Sequence, residues 1–241
     1  MNAARLQDKI ERLLADFVNR ARDIYRDELV SIILYGSAAS GEFSARHSNV
    51  NIAVILRDTS LANLSRIAPL LNKYKFRPLK VIFFTEIYIK NSADVFPIEF
   101  LDIKENHKIL YGSDLLAGLK IDIKNLRFQC EQELKSKILS VKRVYLAGMN
   151  DPDLDKLLLK FFTSSLHVLR NILRLKKGSA AYLKGEILDG IAVEFHIDIS
   201  GMKKILAAKT ADRRLPRKDA AALFNSFVND LEKISDIVDG L

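Results

Sequence analysis

Leu34-Tyr35-Gly36-Ser37 and, after eleven intervening residues, Asn49-Val50-Asn51-Ile52 are the two most informative pieces of this chain. The first closes a short β-branched run, Leu29-Val30-Ser31-Ile32-Ile33-Leu34-Tyr35, which Gly36 stops. Such a run reads as a buried strand. Gly36 and Ser37 then predict a turn that opens a short helix. With no Cβ, Gly36 lets a ligand's phosphate approach the backbone, and Ser37 Oγ and free N–H groups at the helix start can hold it. Val50 to Leu56 is a second buried strand. Residues 49 and 51 stand two apart, so both side chains share one face. A pair at that spacing beside a phosphate cradle is where two metal-binding carboxylates belong. Here both are amides.

Upstream, Leu6, Ile10, Leu13, Leu14, Phe17, Val18, Ala21, Ile24 and Tyr25 recur at helical steps, predicting an amphipathic helix from about Ala3 to Asp27. Downstream, residues 60–74 return to helical spacing, with Pro69 placed to kink or break it. Leu79 to Thr85 reads as a third strand and Pro97 to Ile103 as a fourth, with one short helix at 86–93 between them. Beyond Gly112 and Gly118 the pattern is helical throughout. Long helices are expected at 123–147 and from Asp151-Pro152 to Lys177, where Gly178 stops the second. Shorter ones fall at 183–195 and 200–209, and a last one at 217–238. The expected architecture is α+β, a mixed sheet with flanking helices over residues 1–118, followed by an all-α helical bundle over 119–241.

The chain has 241 residues and 27.3 kDa, room for two domains of ordinary composition. No apolar run is long enough for a membrane span. Charged residues and no apolar core follow Met1, so no secretory signal is expected. The single cysteine, Cys130, excludes a disulfide framework and fits the cytoplasm. A net charge of +8 favours polyanions as partners. The one dense basic block is Lys203, Lys204, Lys209, Arg213, Arg214, Arg217 and Lys218, which reads first as a solvated surface.

Tyr35-Gly36-Ser37, the eleven-residue spacer, the small-residue turn Ala38 to Phe43 and Ser48-Asn49-Val50-Asn51-Ile52 together resemble the nucleotidyltransferase superfamily of the DNA polymerase β type. The match is nearest in kind to the minimal and kanamycin-type nucleotidyltransferases of bacteria, and it is specific over about residues 29–111. The resemblance implies a mixed-sheet catalytic domain followed by a helical one. It also implies two strand acids that hold divalent metal on a nucleoside triphosphate, and a third carboxylate on a later strand between hydrophobic residues. Glu99 in Ile98-Glu99-Phe100-Leu101 is the candidate for that third position, with Asp102 second. The family acids are replaced here by Asn49 and Asn51. Mg²⁺ is bound through carboxylates and water, so losing two charges at the defining positions predicts a fold that has lost its chemistry and keeps Gly36 and Ser37 as a nucleotide or phosphate site.

On that reading no metal cofactor is expected; any metal would sit at Asn49, Asn51 and Glu99. The alternative is an active transferase moving a nucleoside monophosphate from Mg²⁺–NTP to a hydroxyl, with Glu99, Asp102 or Asp94 holding the metal. A second alternative is a nucleic-acid-binding protein using the basic block. A homodimer is left open. The histidines, His47, His107, His167 and His196, show no metal-ligand spacing. Of these His47 lies nearest the cradle, and Cys130 reads as core.

Overall fold

The computed structural model describes residues 3–40, 49–74, 79–181 and 183–241. The chain divides into two compact units, Met1–Ile121 and Asp122–Leu241.

The first unit runs α1 (Ala3–Tyr25), β1 (Leu29–Tyr35), α2 (Ser37–Ser40), β2 (Val50–Leu56), α3 (Leu61–Ser65), α4 (Ala68–Lys73), β3 (Leu79–Phe84), α5 (Glu86–Ser92), α6 (Pro97–Glu105) and β4 (His107–Gly112). Pro69 falls at the start of α4, so the helical pattern of 60–74 divides in two, as proline at a first helical turn permits. The four strands lie in the order β3-β2-β1-β4. β1 is antiparallel to both neighbours, and β2 is parallel to β3, the crossover being made through α3 and α4.

Side-chain alternation sorts the sheet into two cores. Ile32 and Leu34 of β1 and Val50, Ile52, Val54 and Leu56 of β2 pack with Phe17, Ala21 and Tyr25 of α1 and with Leu70 of α4. The opposite face, with Ile33, Ala53 and Ile55, is covered by Ile89 of α5 and by Phe100 and Ile103 of α6. Covered on both sides, β2 is an almost continuous apolar run, as a doubly buried strand must be. α1 is also tied down by polar contacts, since the Asp16 carboxylate accepts from Lys73 Nζ at the end of α4 and from the Tyr74 hydroxyl just beyond it.

The expected strand at Pro97–Ile103 is a helix. Pro97 starts it, where proline is favoured, and three of its four buried residues, Pro97, Phe100 and Ile103, recur every third position rather than every second, with Ile98 beside Pro97. The fourth strand is instead His107–Gly112, an edge strand whose lysine and histidine hide it from a search for apolar runs.

The second unit is five helices: α7 (Ile123–Gly148), α8 (Leu154–Lys177), α9 (Lys184–Phe195), α10 (Ser200–Thr210) and α11 (Arg217–Asp239). Leu134 and Val141 of α7, Phe162 and Leu169 of α8, and Phe224 and Leu231 of α11 are fully buried or nearly so. Asp122 caps α7, its Oδ1 accepting from Lys124 N–H at 2.8 Å. Gly178 ends α8 in the left-handed region. The start of α8 is later than Asp151-Pro152 predicts. Asp151 Oδ1 accepts from Asp153 N–H at 2.8 Å, which makes a turn of these residues and leaves Asp153 as the N-cap.

Candidate functional site

β1 and β2 end side by side, with Tyr35 opposite Asn51 in antiparallel register. The chain then leaves β1 through Gly36 at φ +73°, the left-handed region. From there it turns sharply into α2, whose Ala39 and Ser40 N–H groups donate to Gly36 O at 2.9 and 3.1 Å. The missing Cβ matters, because one added at Gly36 would lie 3.1 Å from Asn51 Nδ2. The Asn51 amide therefore hangs over the glycine. Asn49 precedes the first residue of β2, where alternation carries it to the same face. Both amides are half-buried. The Gly36 N–H itself donates to Asn106 O at 3.0 Å, so the donors that the turn can offer a ligand begin at Ser37. The cradle is narrower than the sequence suggests.

Parallel pairing sets Lys80 of β3 beside Asn51, and antiparallel pairing sets His107 of β4 opposite Tyr35. One residue from each strand thus forms a row across the end of the sheet, in the order Lys80, Asn51, Tyr35, His107. Burial pushes the Tyr35 hydroxyl pKa upward. The His107 ring is held at both nitrogens, Nδ1 2.7 Å from Lys104 O and Nε2 3.1 Å from Asp114 Oδ2. Burial works against the Asp114 carboxylate, but the Leu116 and Ala117 amides and His107 outweigh it and hold its pKa below the ordinary value.

Glu99 does not lie on a strand. It is exposed in the first turn of α6, with Asp102 half-buried one turn later and Asp94 exposed in the turn before the helix. The strand that flanks Asn51 carries a single charged residue, Lys80, between the hydrophobic Leu79 and Val81. Among the described residues no three His, Cys, Asp or Glu side chains gather to hold a metal ion. The donor set at the row does not fit a divalent metal either. Two neutral amides and an ammonium offer a hard cation no negative oxygen.

Lys80 is the residue that sequence reasoning missed. Its only local signal was a lone cation in an otherwise apolar strand. His47, Ser48 and the turn at 41–43 lie outside the described residues. Cys130 is fully buried, as a core residue would be. Much of the basic block is engaged inside its own unit. Lys203 pairs with Asp189 at 2.6 Å, and Arg214 pairs with Asp153 and Asp155 at 2.7 and 3.4 Å. Arg217 donates to Asn150 Oδ1 at 2.6 Å and Lys209 to Thr163 Oγ1. Among the described residues no helix is long and apolar enough to cross a membrane.

No protein-family model and no curated protein matches this chain. Among solved structures, the spectinomycin adenyltransferase AAD(9) of Enterococcus faecialis, with ATP and spectinomycin, is similar at a TM-score of 0.57 and 14% identity, over 90% of this chain and 99% of that one. A mutant of the MntA–HpeT toxin–antitoxin is similar over 58% of this chain and 98% of its own at 19% identity, with a TM-score of only 0.30. The four-stranded mixed sheet with flanking helices, followed by a helical unit, is the nucleotidyltransferase fold. At such identity the likeness extends to the fold and no further.

Proposed function

We propose that this chain is a nucleotidyltransferase-fold protein that has lost phosphoryl-transfer chemistry and serves as a nucleotide- or phosphate-binding, regulatory module. The observation that carries it is the Asn51 amide over Gly36, with Asn49 on the same face and Lys80 alongside. Phosphoryl transfer on this fold needs metal to bridge the phosphates and neutralise developing charge. Amides at both strand positions withdraw two negative charges from the place where that metal would sit, and the lysine beside them adds a positive one. The phosphate-facing half of the site is retained, since Gly36 keeps its left-handed turn and Ser37 its hydroxyl. The solved neighbour with ATP supports a nucleotide as the ligand.

The active alternative needs carboxylates at the row, and Glu99, Asp102 and Asp94 belong to α6 and the turn before it. The nucleic-acid alternative has less support, since Lys203 and Arg214 of the basic block are neutralised by aspartates of their own unit.

Calorimetric titration of ATP with chelator and with Mg²⁺ tests the reading. Weak, millimolar-range affinity, worth about 4 kcal/mol, that is indifferent to Mg²⁺ is the expected result. Affinity that depends strongly on Mg²⁺ would overturn the loss of chemistry. No binding at millimolar ATP would overturn the nucleotide.

A further inference from the structure

β3 holds five apolar residues and one lysine, Lys80, which is exposed. A cation set in an apolar strand needs water or an anion at its head. Its face follows from its neighbours along the strand. Ile82 and Phe84, two and four residues on, pack into the core with Ile55, Ile89 and Phe100, so Lys80 stands on the face that carries Asn51 and Tyr35. Adjacent strands lie about 5 Å apart, which brings the lysine stem alongside the Asn51 amide and hence beside the Gly36 turn. Among the described residues Lys80 has no ion-pair partner. The row contains no carboxylate. His107, at the far end beyond Tyr35, is tied to the Asp114 carboxylate, which the Leu116 and Ala117 amides also engage.

We propose that Lys80 Nζ is the phosphate-binding group of this site, donating charge-assisted hydrogen bonds to a polyphosphate over Gly36 and supplying in the protein's own covalent structure the positive charge that a metal ion would otherwise bring. Asn51 Nδ2 stands ready as a second, neutral donor to the same anion. The ligand class is a terminal di- or triphosphate, selected by charge rather than by base. This rests on the nucleotide-binding reading above and adds to it which residue holds the phosphate and why no metal is required. A point charge of this kind recognises phosphate readily, though without the fork geometry of arginine.

The test titrates ATP, inorganic tripolyphosphate and adenosine, all with chelator, into the full chain and into Lys80→Gln, Lys80→Arg and Lys108→Gln. Lys108 pairs with Leu34 on the other face of the sheet and serves as the control. Tripolyphosphate should compete with ATP while adenosine does not bind. Lys80→Gln should weaken both phosphates roughly tenfold, the scale of one charge-assisted hydrogen bond. It should also flatten the salt dependence, with Lys80→Arg retaining most of the affinity and Lys108→Gln all of it. Thermal melts confirm that each variant is folded. ATP binding that is equal in wild type and Lys80→Gln overturns the lysine's role and leaves the nucleotide reading standing. Tripolyphosphate binding without ATP binding overturns the nucleotide and sustains Lys80. Failure of both ligands with the wild type overturns both.

Discussion

Gly36 and Asn51 constrain each other. The glycine is at φ +73°, and a Cβ there would stand 3.1 Å from Asn51 Nδ2, tighter than most real contacts. The amide can yield a few tenths of an ångström, so the backbone carries most of the cost of adding a methyl. Holding an L-residue in the left-handed region costs about 1–2 kcal/mol. Gly36→Ala should therefore lower the melting temperature by about 2–8 °C, at about 2–4 °C per kcal/mol for a chain of this size. An unchanged melting temperature would mean that the turn is not left-handed. Both residues were legible in the sequence because their relation is local: a strand, a turn and the next strand. Lys80 was not, because its place beside Asn51 depends on the parallel register between β2 and β3, which the crossover sets and no local spacing announces.

At the scale of elements, α10 and α11 meet at a point that excludes even a methyl group. A Cβ on Gly201 would lie 2.1 Å from Ser226 Oγ and 3.6 Å from Asp230 Oδ2. Asp230 is only 4% exposed, and its Oδ2 has no hydrogen-bond partner among the described residues. Burial pushes its pKa up to about 6; Lys233 opposes the shift and Asp198 adds to it. Because the folded value lies above the unfolded one of about 3.9, the group's contribution to stability is complete below pH about 4 and is lost as pH rises through about 6. Asp230→Asn should then stabilise the second unit by about 1–3 kcal/mol near pH 7.5 and hardly at all near pH 4. Melts at the two pH values check this; an effect that is the same at both would show that Asp230 does not titrate in this range. The helices of this unit were readable because their apolar stripes persist for many turns. Where a signal was short the sequence was ambiguous. Ile98-Glu99-Phe100 alternates like a strand, and only the longer spacing of Pro97, Phe100 and Ile103 identifies α6.

For the whole molecule, fold class was legible and chemistry only half so. The Gly36-Ser37 turn and the amide pair point to a nucleotidyltransferase fold, which the similarity to AAD(9) supports, while the third position, read as Glu99, is on a helix and β3 carries Lys80. A single substitution at such a site would weaken metal binding; amide, amide and ammonium together leave no anionic oxygen to bind it. Restoring the charge should restore the metal. Asp is close in shape to Asn, so Asn49→Asp with Asn51→Asp adds two charges without disturbing the backbone. In chelator the two carboxylates repel and the fold loses some stability. A metal that binds only the folded state then raises the melting temperature. Thermal melts of the wild type, this double variant and the double variant with Lys80→Gln, each in chelator and in millimolar Mn²⁺, decide the matter. The account predicts no metal response in the wild type, a clear rise in the double variant, and a larger rise once the competing ammonium is gone. An equal response in the wild type and the double variant would contradict it.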